Sequence, residues 1–229
     1  MRRWALLVAA LYGLILVVLT VPFLLLTFYG SVFGSNGMLS AIAEAAAVFL
    51  EWPYWIWVAV MVICQLALLS VPVRVASRRP VTHSALWPTI LVAGLMMGIL
   101  VAAAYVSIDE FVFQSEGELW ISKTGLAMGL AIWGALTFVF RRATMTGSPA
   151  DVVTRQCRLL FKGSILELLI AVPTHIVARH RDYCCAGFMT FIGLTMGTAV
   201  MLFAFGPALF YLFADRWRRL HPERDGNSG

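Results

Sequence analysis

The chain of 229 residues is 61% apolar and only 13% charged, with a mean hydropathy of +0.85. That is about half the charge of an ordinary soluble domain, and it excludes one. The formal charge is +5, but the basic residues flank apolar runs rather than forming a dense block, so the expected partner is a lipid bilayer and not nucleic acid.

In chain order, Met1-Arg2-Arg3 precede an apolar run from Trp4 to about Tyr29. It exceeds the core of a signal peptide and lacks a small-residue cleavage site, so it reads as a retained first span. Searching for the roughly 20 apolar residues that cross a hydrocarbon core predicts helices near 4–28, 54–73, 84–106, 120–140, 157–178 and 185–214. Between the first two, "SNGMLSAIAEAAAVFLEWP" reads as a loop and a short amphipathic helix ended by Pro53, lying on the outer surface. The following "YWIW", Tyr54 to Trp57, is an outer aromatic belt. Asp109 and Glu110 fall in a loop with no basic or nucleophilic partner nearby. The apolar part of the fifth segment, Gly163 to Ala178, rises only about 24 Å. It crosses fully only by recruiting Cys157 to Lys162, with Arg158 and Lys162 snorkelling; a re-entrant segment is the alternative. The tail 216–229 is polar and without apolar periodicity.

With both termini in the cytoplasm, all but three of the 17 lysines and arginines face inward. The exceptions are Lys123, Arg179 and Arg181. This bias sets the orientation under the positive-inside rule and places the chain in an inner membrane. The outer loops then carry Glu44, Glu51, Asp109, Glu110, Glu116, Glu118 and Asp182.

Two stretches recur. "LLSVPVRVASR" at Leu68 to Arg78 resembles "LIAVPTHIVAR" at Leu169 to Arg179, and "GLMMGILV" at Gly94 to Val101 resembles "GLTMGTAV" at Gly193 to Val200. In both copies a Val-Pro ends the apolar run. The expected fold is therefore an all-α integral membrane protein of six transmembrane helices, built as a 3+3 inverted-topology tandem repeat. Residues 1–110 form the first half, 111–215 the second and 216–229 a cytoplasmic tail. Gly94/Gly98 and Gly193/Gly197 are small-xxx-small pairs that allow close helix approach, which predicts packing of the third helix on the sixth.

Candidate chemistry gathers in the second half. Glu167 is an acidic residue well inside a span, where ionisable groups are costly and mark function; the bland alternative is a carboxyl near the inner interface, protonated or paired with a basic side chain. His175 follows eight residues later, close to the same face but about 12 Å further along. The two cannot share one metal ion, yet with Thr174 and the carbonyl freed by Pro173 they could form a proton or cation path. His175 is otherwise a histidine at the outer interface hydrogen-bonding a neighbour. Cys184 and Cys185, with His175 and His180, supply ligands suited to copper(I), zinc or mercury. The vicinal cysteine pair at a helix end resembles that of the bacterial mercury-uptake membrane proteins, over those two residues, and the resemblance implies a thiophilic metal. Against this, Asp182 can cap the sixth helix, Arg179 and Arg181 can pair with it or with lipid phosphate, and Cys184 to Gly187 are small enough to pack at a helix entrance.

No phosphate loop, H-E-x-x-H pair or G-x-S-x-G elbow appears, so no enzyme is expected. No resident cofactor is expected either, apart from that soft or borderline metal ion. The function these residues predict is a non-enzymatic membrane subunit or assembly component with a protein partner or a second copy in the membrane. The alternative is a small secondary transporter or channel for a cation or thiophilic metal, using Glu167, His175 and Cys184/Cys185.

Overall fold

The structure, a computed structural model, describes residues 2–27, 46–77, 81, 83–113, 123–144, 148–178, 180 and 188–220. Its elements in chain order are α1 (Arg2–Thr27), α2 (Trp52–Ala76), a 3-10 turn (His83–Leu86), α3 (Trp87–Phe113), α4 (Lys123–Thr144), α5 (Pro149–Ala178) and α6 (Phe188–Leu220). Among the described residues the fold is all-helical, one of the two backbone arrangements that satisfy their own hydrogen bonds in lipid. Five helices, α1, α2, α3, α5 and α6, are long and apolar enough to cross a membrane. That makes this a multi-pass membrane protein. α4 is a helix of 22 residues, and its side chains before Gly129 lie outside the described set.

Several boundaries differ from the hydropathy reading, each for a local reason. Pro53 does not end a preceding helix; it occupies the first turn of α2, where its missing N–H would be unpaired anyway. α2 runs past Pro72 to Ala76, three residues beyond its expected end, while α5 includes Pro173 and ends at Ala178 as expected. Each proline forfeits the bond its N–H would make to the carbonyl four residues back, and membrane helices tolerate this where neighbouring groups or local adjustment of the turn satisfy the freed carbonyl. Asp109 and Glu110 belong to the last turns of α3 rather than to a loop. α6 continues through Asp215 and Arg219, which pair at 2.7 Å one turn apart on the exposed surface.

The largest difference is at α5, which begins at Pro149 and not near Cys157. Ser148 caps it. The Asp151 carboxylate accepts from the Ser148 hydroxyl at 2.6 Å and from its backbone N–H at 3.2 Å, while the Asp151 N–H donates back to Ser148 Oγ at 3.3 Å. This reciprocal box, with Pro149 as the first helical residue, starts the helix two turns before the apolar run. Thirty residues then rise about 45 Å. No re-entrant turn is needed, since the candidate span runs unbroken from Asp151 to Ala178.

α6 is the central helix and packs on α1, α2, α3 and α5. One apolar cluster joins Leu16, Met61, Leu68, Met96, Leu160, Val200 and Phe203, with contributions from every helix. A smaller one joins Ala5, Val8, Leu69, Phe210 and Ala214 of α1, α2 and α6. Tyr12 of α1 donates its hydroxyl hydrogen to the Ala199 carbonyl of α6 at 3.0 Å. α4 lies at the edge, held to α3 by Trp133, whose indole N–H donates to the Leu91 carbonyl at 3.1 Å, and by Arg141 stacked 4.7 Å from the Trp87 ring. The outward faces carry Leu14, Val18, Ile63, Leu166, Leu169 and Leu212, the surface that lipid covers.

The Gly94/Gly98 and Gly193/Gly197 pairs are not used alike, which corrects the expectation that both serve the contact between the third and sixth helices. Gly94 and Gly98 face α4 instead. A Cβ at Gly94 would collide with Thr137, and one at Gly98 would stand 3.9 Å from Leu136 Cδ1. The latter is an ordinary van der Waals distance, so Gly98 does not provide the close helix approach that its spacing predicts. The reason lies in the helical register: Ala103 and Ser107, which meet α6 at Gly193, follow Gly94 and Gly98 by nine residues and so sit on the opposite side of α3. In α6 the pair is used in full, since a Cβ at Gly193 would meet Ser107 of α3 and Glu167 of α5, and one at Gly197 would meet Glu167 again. α3 and α6 do pack together, but through the glycines of α6 only.

Gly206 shows how close these approaches are: a Cβ there would overlap the side-chain amide of Gln65 on α2. Gly206→Leu is expected to destabilise the bundle by about 1–3 kcal/mol, read as a lowered thermal midpoint in detergent. Leu212→Ala, on the exposed face of the same helix, is expected to stay within about 0.5 kcal/mol of the parent. Equal midpoints for the two variants would contradict this packing.

Candidate functional site

α5 turns one stripe inward: Val153, Gln156, Leu160, Ser164, Glu167, Ala171 and Ala178 are buried, and Leu159, Leu166, Leu169, Val172 and Ile176 are exposed on the other side. The three- and four-residue spacing keeps that stripe on a single seam. Glu167 stands on it about 27 Å from the start of the helix and 16 Å from its end, far from either mouth of the bundle. Its residue exposure is 2%. Neither carboxyl oxygen has a hydrogen-bond partner among the described residues.

The space for this side chain is made by two glycines. A Cβ at Gly197 would overlap Oε2 of Glu167. The position a Cβ would take at Gly193 is 3.3 Å from Glu167 Oε1 and 3.4 Å from the Ala103 carbonyl, and in closer contact with Ser107 Oγ. Three helices therefore bring a carboxyl, a hydroxyl and a carbonyl oxygen to one point on α6. Ser107 is itself buried, and its hydroxyl hydrogen is donated to Ala103 at 2.9 Å, so it can offer Glu167 only lone pairs. Of the bland alternative, a carboxyl protonated or paired with a basic side chain, the pairing with Lys162 is not observed: Lys162 is exposed and Glu167 is buried in the seam.

Towards the end of α5, His175 Nδ1 shares a hydrogen bond of 2.9 Å with Thr190 Oγ1 on the first turn of α6. The Thr174 hydroxyl bonds the Ile170 and Ala171 carbonyls of its own helix at 2.8 and 3.0 Å; it is not a bridge between Glu167 and His175. His180 is exposed, and its Nδ1–H donates to the Ile176 carbonyl at 2.7 Å. Cys184 and Cys185, half of the expected metal set, lie outside the described residues. Among the described residues no group of three or more His, Cys, Asp or Glu could hold a metal ion.

The bundle also buries groups that a search for charges passes over. Gln65 and Gln156 are fully buried, and neither amide has a partner among the described residues. Their signal was a lone amide at helical register inside "ICQLAL" and "TRQCRL", which hydropathy averages away. Gln65 meets Gly206 on α6, nine residues from Gly197 and so about half a turn around the helix. α6 thus has two glycine-lined faces, one receiving an acid from α5 and the other an amide from α2.

Fold and site together define an integral membrane protein with a buried acidic group at a three-helix junction. The chain matches no protein-family model, no curated protein and no solved structure, and its function must be argued from these residues.

Contact between Gly197 and Glu167 predicts strong coupling. Gly197→Ala is expected to cost about 1–3 kcal/mol in the parent and markedly less in a Glu167→Ala background, with a coupling energy of about 0.5–3 kcal/mol in a double-mutant cycle followed by thermal unfolding. Strict additivity would place the carboxyl elsewhere.

Proposed function

We propose that this chain is a non-enzymatic six-span protein of the inner membrane, both termini cytoplasmic, that moves a cation along the α5–α6 seam as a small secondary transporter or channel. The observation that carries this reading is Glu167: a carboxyl mid-bundle, sealed and without a partner among the described residues. An ion buried without compensation costs several kcal/mol, and such a residue within a span marks a cation or proton pathway more readily than a packing element. His175 and Thr190 stand on the same seam nearer its end, where they can pass an ion between Glu167 and the surface.

α4 supplies the sixth span in this reading. The three-plus-three repeat draws support from Pro72 and Pro173, which lie in the last turns of α2 and α5 respectively, and from the recurrent sequence around them. The different partners of Gly94/Gly98 and Gly193/Gly197 would then reflect divergence of the two halves.

A second reading, a membrane-embedded subunit or assembly component, draws on α4. That helix packs mainly on α3 and leaves Leu130, Phe138 and Val139 exposed, a face another helix could cover. A photo-crosslinker at Phe138 that captures lipid alone would count against it.

For the transport reading, the purified chain in liposomes is expected to conduct protons or alkali cations. Glu167→Gln, which keeps the shape and removes the charge, should lower the flux by at least about tenfold, equivalent to about 1.4 kcal/mol. His175→Ala should lower it as well. Flux that is unchanged in both variants removes these residues from the pathway.

A further inference from the structure

We infer that the cradle formed by Glu167, Ser107, Ala103, Gly193 and Gly197 is a proton-binding site, and that in the observed arrangement it exchanges its proton only with the end of the bundle where α5 finishes and α6 begins. The inference rests on the transport reading for its purpose and specifies that reading's ion and sidedness.

The ion follows from the oxygens present. A calcium-like cation takes six to eight oxygen ligands at about 2.3–2.6 Å. At this junction Glu167, the Ser107 hydroxyl and the Ala103 carbonyl converge on Gly193, and the backbone of Gly197 presses directly on Oε2, leaving no shell for further ligands. A proton needs no shell. Held on one carboxyl oxygen, it lets the acid donate to Ser107 Oγ, which keeps a free lone pair, after a small turn of the side chain.

Neighbouring charges do not supply an alternative partner. α6 carries no titratable side chain from Phe188 to Phe210. On α3, Tyr105 is exposed and Asp109, half-buried, lies two residues beyond Ser107. On α5 the nearest are Lys162, which is exposed, and His175, about 12 Å away. A positive charge reaching Glu167 must therefore arrive as a small ion.

Sidedness follows from what packs above and below. Towards the start of α5 the seam is closed by Leu160, Met96, Leu100, Val200 and Phe203 of the main apolar cluster, with Gly163 set against Met97 and Leu100 at 3.1–3.5 Å from its would-be Cβ; Ser164, on the Glu167 side of that layer, is tied to the Leu160 carbonyl at 2.6 Å, and the buried Gln156 lies beyond it. Towards the end of α5 the facing residues are Ala171, His175 and Ala178, opposite Thr190. Small side chains and a histidine–threonine pair can admit a water file or relay a proton. A packed apolar plug cannot.

The test uses the full chain in liposomes of fixed orientation and N,N′-dicyclohexylcarbodiimide, which reacts with protonated carboxyls in apolar surroundings. The adduct on Glu167 is read by mass spectrometry, without any flux. Labelling is expected at acidic pH, to fall by about tenfold or more as the pH on the side of the α5–α6 turn is raised, and to ignore the pH on the other side. Sodium and potassium should give no protection. His175→Ala combined with Thr190→Val should leave acidic labelling intact and slow its response to a pH jump. Protection by sodium or potassium would overturn the proton assignment while leaving cation transport standing. Dependence on the opposite side would overturn the sidedness, and no labelling at any pH would overturn the site. A chain that labels as expected but conducts nothing ends the transport reading and keeps the proton site.

Discussion

The close approach of the α6 backbone to its neighbours is the contact on which the rest of this bundle depends. In lipid, apolar side chains gain little by leaving the solvent, so helices associate through fit, backbone proximity and buried polar groups. α6 supplies all three. Gly193 and Gly197 admit α3 and α5, Gly206 admits α2, and the Ala199 carbonyl takes the hydroxyl of Tyr12 on α1. A larger residue at any of these glycines would push a polar side chain out of a space that nothing else fills. The Glu167 seam is consequently a product of the packing as much as an occupant of it.

Such an arrangement is poor design for stability alone. Gln65, Gln156 and Glu167 each bury polar atoms that have no partner among the described residues, and each would be cheaper as leucine or methionine in a bundle held only by fit. Unsatisfied groups of this kind persist where they do something else. Tyr12, by contrast, is buried and fully paired, which is what a purely structural polar residue looks like in the same core.

How much of this is legible in the residues depends on the length scale of the signal. Helix number and type come from hydropathy, because lipid demands some twenty apolar residues per crossing, and α1, α2 and α6 start within about three residues of where that demand places them. The start of α5 is hidden from hydropathy because it is set by hydrogen bonds in a polar stretch, "SPAD", where Ser148 and Asp151 cap each other. A capping box is visible in sequence only to a search for caps. Pro72 marks the end of its apolar run, yet α2 continues one turn beyond it to Ala76. The spacing of Gly94 and Gly98 marks a face of α3 without saying which helix that face meets, and docking turns it to α4. Glu167 stands out by its charge, but its setting does not: nothing in the chain links residue 167 to residues 103, 107, 193 and 197 before the helices are docked. Gln65 and Gln156 escape because an amide shifts an averaged hydropathy little while costing as much to bury unpaired as many hydroxyls.

The unequal use of the two glycine pairs bears on what a carboxyl does at a glycine-lined junction. In α3, Gly94 receives Thr137, a hydroxyl from the edge helix α4, and Gly98 only the tip of Leu136. In α6, the corresponding glycines receive Glu167 from α5 and Ser107 from α3. A hydroxyl in a helix has a carbonyl of its own helix within reach, and Ser107, Ser164 and Thr174 use it, although Thr137 Oγ1, against Gly94, has no partner among the described residues. A carboxyl has no such local option, because it carries no hydrogen to donate until it binds a proton. Placing an acid rather than a hydroxyl at a glycine-lined junction therefore turns a packing contact into a ligand-dependent one, and the central helix, touched by four others, is the position from which that dependence reaches the whole bundle.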